Sequence, residues 1–197
     1  MSKAHAPAPL DLVQDLVNTW SGRLSGGGDE HLASPADLAR WCRAHGVAVA
    51  DDAVTADDLA LARTVREGLR AALARHNDAV QPADAEALQR LDEAAPALGL
   101  RVSLAGDSPE LLPRDGSPAR RLLASALAAV VPAARDRTWQ RLKVCREPRC
   151  RAAFYDASRN ASGVWCSMSA CGAAAKQRAF VERRRARRAA GKAAAAS

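Results

Sequence analysis

Apolar residues recur every three to four positions along most of the chain, the spacing that places them on one face of an α-helix. Two of these segments also carry a helix-start signal, in which a capping hydroxyl is followed three positions later by a carboxylate. Ser34 is followed in this way by Asp37, and Thr55 by Asp58. We therefore predict helices over 10–20, 35–46, 56–77, 84–95 and 118–131.

One segment alternates instead of following the helical period. Leu100, Val102 and Leu104 are separated by polar or small residues, as expected for a strand with one buried face. A glycine and an aspartate follow at 106–107, and apolar residues return at 111–112. We predict a short β-hairpin over 100–112 and expect no other β structure.

Glycine and proline mark the interruptions between these elements. We expect Gly22 and the glycines at 26–28 to form a flexible loop, and Pro132 to break or kink the last of these helices, with helix resuming over 133–144. The predicted fold class is mainly α. A helical N-terminal domain over 1–132, with one small β-hairpin, is followed by a cysteine-containing finger with a basic helix over 133–190 and a disordered tail over 191–197.

Charge divides the chain at the same place. Residues 1–132 carry 13 Lys and Arg against 18 Asp and Glu, whereas residues 133–197 carry 16 against 4. This asymmetry predicts two modules with different partners, and a polyanion suits the second. The first residues lack an apolar secretory signal, and charges interrupt every apolar segment. We therefore expect no membrane span and a soluble, cytoplasmic protein.

Four of the five cysteines lie within 27 residues and form two pairs, Cys145 with Cys150 and Cys166 with Cys171. Four residues separate the members of each pair, and 15 residues separate the pairs. Two chelating pairs of soft thiolates suit a tetrahedral ion, so the pattern predicts a structural Zn²⁺ site. An iron–sulfur cluster, disulfides or unligated cysteines are the alternatives. Cys42 lies far away on an apolar helix face and is expected to be a core residue.

Four thiolates around Zn²⁺ leave a net negative charge, which nearby cations are expected to offset: Lys143, Arg146, Arg149 and Arg151. Phe154 and Trp165 are the large apolar residues between the pairs, and we expect them to form a minimal core. A core of that size cannot fold alone, so zinc should drive the folding of this module. Loss of a ligand should then unfold the module and spare the helical body.

A basic helix is predicted from Cys171 to about Ala190, with Glu182 as its one acid. Its cations are Lys176, Arg178, Arg183, Arg184, Arg185, Arg187 and Arg188. At 100° per residue these seven surround the helix rather than share one face. We expect the helix to contact nucleic-acid phosphates, with a solvated basic helix as the alternative. Phe180 and Val181 are expected to pack back on the finger.

Two parts of the chain resemble known families. The cysteine-containing region resembles the CGNR zinc-finger family in Trp139-Gln140-Arg141-Leu142-Lys143-Val144-Cys145, Cys150, Phe154-Tyr155-Asp156, Ser158-Arg159-Asn160, Trp165-Cys166-Ser167-Met168, Cys171-Gly172 and Lys176. Residues 12–19 resemble the opening of the ABATE domain that precedes this finger. The resemblance implies a bacterial transcription regulator, often labelled stress-induced, whose finger binds DNA and whose N-terminal domain senses an effector.

The chain departs from the family pattern within the finger. Ala173 and Ala174 stand where the name-giving motif has Asn and Arg, and 161–164 lack the usual basic residues. Arg159, Asn160 and Lys176 keep matched positions and are expected to contact nucleic acid together with the arginines of the basic helix. The missing side chains predict weak or sequence-tolerant DNA binding. They also leave open a zinc-stabilised module that binds RNA or protein.

The N-terminal domain offers one candidate effector pocket, formed by Asn18, Arg63, Arg66 and Arg70. We favour the other interpretation, a solvated face or ion pairs of these arginines with Asp57, Asp58 and Glu67. The sequence contains no HExxH, no Walker loop, no GxSxG and no His-x-Glu before its cysteines. We therefore predict a DNA-binding transcription regulator with structural zinc, and not an enzyme.

Overall fold

The computed structural model describes residues 5–22, 27–114 and 116–194, with side chains described as far as residue 189. The helices in this part of the chain are α1 (Leu10–Asn18), α2 (Pro35–Ala44), α3 (Ala56–Ala74), α4 (Asp84–Ala94), α5 (Pro118–Arg135) and α6 (Ala173–Ala194). Antiparallel two-stranded sheets pair β1 (Trp20–Gly22) with β2 (Gly28–Glu30), β3 (Leu100–Ser103) with β4 (Glu110–Pro113), and β5 (Leu142–Val144) with β6 (Ala153–Tyr155). The fold is mainly α, as predicted. None of the described helices has the length and apolar character needed to cross a membrane.

The helix starts predicted from local chemistry are confirmed. At α2, the Ser34 side chain accepts a hydrogen bond from the Asp37 amide, and the Asp37 carboxylate accepts one from the Ser34 amide at 2.9 Å. Thr55 and Asp58 form the same reciprocal pair at the start of α3, with both bonds 3.1 Å long. Ser117 caps α5. Each cap satisfies amides that the first helical turn leaves without partners.

The core lies where α1, α3 and α5 bring their apolar faces together. Leu16 of α1, Val65 of α3 and Leu123 of α5 are all fully buried in one cluster. Helix α4 packs along α3 at close range, since a Cβ at Gly68 would lie 2.4 Å from the Cβ of Leu91. Glycine at this point therefore sets the separation of the two helices.

The β structure exceeds the prediction. The hairpin β3–β4 is where the alternating pattern placed it, with Leu100 opposite Pro113. Two further sheets were missed, because their strands are only three residues long and carry no clear alternation. Trp20 pairs with Glu30 in β1–β2. The loop predicted around the glycines is thus partly a sheet, and its residues 23–26 lie outside the described part of the chain.

The prediction for 133–144 was wrong. Pro132 does not end α5, which runs on to Arg135, and the Asp136 amide still donates to the Pro132 carbonyl at 3.1 Å. The chain then turns at Arg137, whose φ is 64°. A short 3₁₀ turn and strand β5 follow instead of a helix. Leu142 and Val144 are buried in the main core, so pairing with β6 and burial override any helical tendency of the segment.

The finger and the helical body share this core. Leu142, Val144 and Ala153 of β5–β6 belong to the same buried cluster as the residues of α1 and α3. Asn18 pairs with the backbone of Ala153 in both directions, donating to its carbonyl at 3.0 Å and accepting from its amide at 2.8 Å. Asn77 donates to the Val144 carbonyl at 2.9 Å. The charge of the chain changes near residue 132, but the hydrophobic core continues across that point.

The residues of the predicted effector pocket form hydrogen bonds and ion pairs within the protein. Asn18 is bonded to Ala153, and Arg63 donates to the Leu32 carbonyl at 2.6 Å. Arg66 donates to both carboxylate oxygens of Glu30, at 2.7 and 2.8 Å. The buried Arg70 bonds Glu67 and carbonyls of Val17, Trp20 and Arg151. Arg66 and Arg70 also pair with Glu67, at 2.8 and 3.0 Å, which confirms the ion-pair interpretation for these two residues. These contacts hold the N-terminal segment and the finger onto α3, and an effector pocket at these positions stays a prediction.

Candidate metal centre and nucleic-acid interface

The first cysteine pair lies at the turn between β5 and β6. Cys145 directly follows β5, and its amide donates to the Ala152 carbonyl at 2.9 Å. The Cys150 amide donates to the Glu147 carbonyl at 2.9 Å. Arg151 then adopts a left-handed conformation with φ 49°, which returns the chain to β6. The sheet and this tight turn bring both sulfurs to the same side.

The second pair lies at the beginning of the last helix. Cys171 belongs to a π-helical turn, Met168–Gly172, that leads directly into α6. Ser167 caps this turn by accepting a hydrogen bond from the Ala170 amide at 3.2 Å. The segment before Cys166 is tied to the first turn, since the Arg146 amide donates to the Val164 carbonyl at 2.9 Å. These interactions bring the two pairs together.

The four sulfurs form one compact cluster. All of them lie within 4.8 Å of one another, and Cys166 Sγ is 3.6 Å from Cys150 Sγ and 3.7 Å from Cys171 Sγ. Four sulfurs at about 2.3 Å from a tetrahedral Zn²⁺ lie about 3.8 Å apart, close to these separations. A disulfide would need about 2.05 Å. The cysteines are free of disulfides, and the four predicted ligands form a cluster that could hold a metal ion.

The electrostatics of the cluster favour a bound cation. Burial, together with charge on the sulfurs of Cys145 and Cys150, raises the pKa of the Cys171 thiol to about 12. Hydrogen bonding to Cys145 and Cys150 raises the pKa of Cys166 as well, whereas thiol hydrogen bonds lower that of Cys145. Four thiolates therefore cannot coexist here without a compensating charge. The donor set fits Zn²⁺, which would be held by four sulfurs with no position left open.

The apolar surroundings agree with the prediction. Phe154 is 2% exposed and packs against Cys145, Cys150 and Cys171, with Trp165 at the edge of the same cluster. These two rings are the minimal core expected beneath the sulfurs. They limit solvent access to the cluster.

The cations expected to offset the thiolate charge have other partners. Lys143 donates to the Asp156 carboxylate at 3.0 Å, and Arg151 to that of Asp84 at 2.7 Å. Arg146 bonds the Asn77 carbonyl at 2.8 Å, and Arg149 lies 3.6 Å from the Glu147 carboxylate. Their role is to fix the turn and to join it to the helical body. Sequence spacing could not reveal this, because the partners of Arg146 and Arg151 are more than 60 residues away.

Arg178 has a partner within the protein. It forms an ion pair with Glu147, a carboxylate that lies in the first cysteine turn and is 1% exposed. This arginine therefore holds the beginning of α6 against the turn, and its contact with nucleic acid stays a prediction. Sequence reasoning missed Glu147. The sequence could have pointed to it, because it is one of only four acids in residues 133–197 and lies between Cys145 and Cys150.

A second buried ion pair organises the loop after β6. Burial disfavours the charge of Asp156, but hydrogen bonds from Ser158, Lys143 and the Gly163 amide outweigh it and hold the pKa of that carboxyl below its usual range. Lys143 also donates to carbonyls of Ala161 and Gly163. The loop that this network holds carries Arg159 and Asn160 at exposed positions.

The remaining predicted contact residues are exposed. Lys176 and residues 181–189 of α6 face solvent, so the arginines at 183–185, 187 and 188 are accessible. Phe180 is 56% exposed and Val181 36% exposed, which contradicts the expectation that they pack on the finger. The side of the helix that faces the finger is the one that carries Arg178, which pairs with Glu147, and not the one that carries Phe180.

Fold and site together define a small helical protein with a zinc-finger type of metal centre and a basic final helix. A family model named ABATE, with the description "Putative stress-induced transcription regulator", matches residues 10–138. A second model, the CGNR zinc finger, matches residues 141–184. The first match spans well over half of the chain, which therefore belongs to the ABATE family and carries a CGNR zinc finger. Both resemblances are confirmed. No curated protein matched the chain in a similarity search.

Proposed function

We propose that this protein is a transcription regulator that binds DNA through its finger and α6, with a structural zinc ion held by Cys145, Cys150, Cys166 and Cys171. The observation that carries the proposal is the direct attachment of an exposed basic helix to a four-sulfur cluster. Zinc would supply rigidity there, by fixing the turn from which α6 begins. The family description supports a regulatory role.

The proposal includes no catalytic step. A tetrahedral site filled by four thiolates leaves no position for water or substrate, which catalytic zinc requires. The thiolates also need a reducing environment, so we propose that the protein acts in the cytoplasm. The exposed residues Arg159 and Asn160 would add contacts from the loop after β6.

Salt dependence tests the proposal. Each phosphate contact contributes about −0.9 to the slope of log affinity against log salt on duplex DNA. The variant Arg183→Ala, Arg184→Ala, Arg185→Ala should flatten that slope by up to about 3, as measured by fluorescence anisotropy between about 50 and 200 mM salt. The matched control removes three exposed arginines of the helical body, Arg75→Ala, Arg101→Ala, Arg121→Ala, and should leave the slope unchanged.

The alternative is a zinc-stabilised module for RNA or protein, favoured by the alanines at 173 and 174. The same assay on duplex RNA of matched sequence separates the two. Tighter binding to RNA than to DNA would replace the proposal with an RNA-binding function. If neither nucleic acid binds at any salt concentration, the proposal is wrong and a protein partner is the better hypothesis.

A further inference from the structure

The orientation of α6 is set at its first turns. Arg178 is bound to the buried Glu147, and Ala174, Ala175 and Ala179 are half-buried. At 100° per residue, Arg178 lies about 160° around the helix from Phe180. The side of α6 that meets the metal centre is therefore opposite to the side that carries Phe180.

The outward side is a stripe of cations with an aromatic ring at its centre. Relative to Phe180, Lys176 and Arg184 lie about 40° to either side, Arg187 about 20° away and Arg183 about 60° away. We call these five residues the Phe180 stripe. In the part of the chain that the structure describes, none of its four cations forms an ion pair. The stripe therefore presents unneutralised charge on both sides of an exposed ring.

This arrangement suits one partner. The major groove of duplex DNA is about 12 Å wide, admits an α-helix and is bordered by phosphates on both sides. With α6 in the groove, cations at the two edges of the stripe reach the phosphate walls, and the centre of the stripe faces the base edges. Phe180 occupies that centre and is 56% exposed, whereas the chain's other phenylalanine, Phe154, is 2% exposed beneath the cysteines.

The chemistry of the groove floor limits what Phe180 can contact. Most base edges there carry hydrogen-bond donors or acceptors, and a phenyl ring has no group that can pair with them. The exception is the C5-methyl group of thymine. Building on the proposed DNA binding, we propose that Phe180 packs against thymine methyl groups and gives the protein a preference for A·T pairs at the centre of its site. The cations of the stripe supply affinity without sequence information.

Removing the methyl group tests the proposal. The probes are an alternating d(AT) duplex of about two helical turns, its d(AU) counterpart, which lacks only the methyl groups, and an alternating d(GC) duplex. For each thymine methyl group that Phe180 covers, the unmodified protein should bind d(AU) about fourfold more weakly than d(AT), because burying one such group is worth about that factor. Phe180→Ala should bind d(AT) and d(AU) equally.

Controls separate this effect from a general decrease in binding. Val181→Ala, about 100° from the stripe centre and 36% exposed, should keep the d(AT) preference. Arg184→Ala should weaken all three duplexes alike and flatten the salt slope. Zinc content and circular dichroism of Phe180→Ala should match the unmodified protein, since this ring is largely exposed.

Several outcomes would overturn the proposal. Equal affinity of the unmodified protein for d(AT) and d(AU) excludes methyl contact, and so does a methyl preference that persists in Phe180→Ala. Tighter, Phe180-dependent binding to single strands would mean that the ring stacks on unpaired bases instead. Binding of all duplexes without a methyl effect refutes only this inference, whereas no DNA binding at all refutes the proposed function.

Discussion

Glu147 shows at residue scale how one buried group determines the direction of a whole helix. Its carboxylate is 1% exposed, forms an ion pair with Arg178 and lies 3.6 Å from Arg149. A carboxylate removed from water is stabilised only when cations and hydrogen bonds compensate its charge, and breaking such a pair is costly. The pair therefore decides which side of α6 faces the metal centre and which side stays exposed.

The cysteines give a residue-scale prediction. Cys145→Ser and Cys171→Ser should each release bound zinc, because a hydroxyl is a poor replacement for a soft thiolate ligand. The measurement is zinc content by mass spectrometry after gel filtration in a mild chelator. Cys42→Ala is the control and should keep its zinc, since burial raises the pKa of the Cys42 thiol to about 11 and it lies outside the sulfur cluster. Zinc retained in both serine variants would contradict the four-thiolate site.

The four cysteines could be predicted from the sequence because chelation needs short loops, and short loops are visible as spacing. The partners of the surrounding cations could not. Lys143 is separated from Asp156 by 13 positions and Arg151 from Asp84 by 67. Charge counts predict that such residues are available, but only the folded chain determines which carboxylate each of them reaches.

At the scale of elements, the helices with strong local signals were predicted well and the short strands were not. Capping boxes begin α2 and α3 at the predicted residues, because a cap is a contact within four positions of the chain. Strands β1 and β5 each have only three residues, and they are strands because they pair with β2 and β6. The segment before Cys145 became strand instead of helix because its apolar residues are buried against the body.

Strand β1 gives an element-scale prediction. The Gly22 amide donates to the Cys150 carbonyl at 3.0 Å, and a Cβ at this position would lie 1.7 Å from the carbonyl oxygen of Arg149. Gly22→Ala should therefore push the first cysteine turn away, lowering the free energy of unfolding by about 2 kcal/mol and speeding zinc release to a chelator.

Gly106→Ala is the matched control for this change. A Cβ at Gly106 would meet only the Ser108 carbonyl, at 3.9 Å, so stability and zinc release should stay close to those of the unmodified protein. Urea unfolding and the rate of zinc transfer to a coloured chelator measure the two effects. Equal behaviour of Gly22→Ala and Gly106→Ala would show that β1 does not support the metal turn.

At the scale of the whole molecule, the finger and the helical body are one packed unit. Leu142, Val144 and Ala153 are buried with residues of α1 and α3, and Arg70 of α3 donates to the Arg151 carbonyl at 2.8 Å. The charge asymmetry predicted two modules, and the small core of the finger predicted that it unfolds alone when a zinc ligand is lost. The shared core leads to the opposite expectation.

Zinc removal tests this expectation. Because zinc binding stabilises the folded state, a strong chelator should lower the melting temperature of the helical body as well as that of the finger. Tryptophan fluorescence reports in part on Trp165 near the cysteines, and far-ultraviolet circular dichroism reports mainly on the helices. The two signals should change in a single transition, with and without chelator. A helical signal that keeps its melting temperature after zinc removal would favour two independent modules.

The sequence by itself determined the elements and donor groups that depend on nearby residues: the long helices, their caps, the β3–β4 hairpin and the four cysteines. Their causes act over a few positions, so they are visible as period and spacing. Tertiary structure decided the role of the charged side chains whose partners are distant in the chain. Arg66, Arg70 and Arg178 resemble free cations in the sequence, yet in the fold they meet carboxylates or carbonyls. Whether an arginine is bound or available depends on burial and on partners brought together by folding.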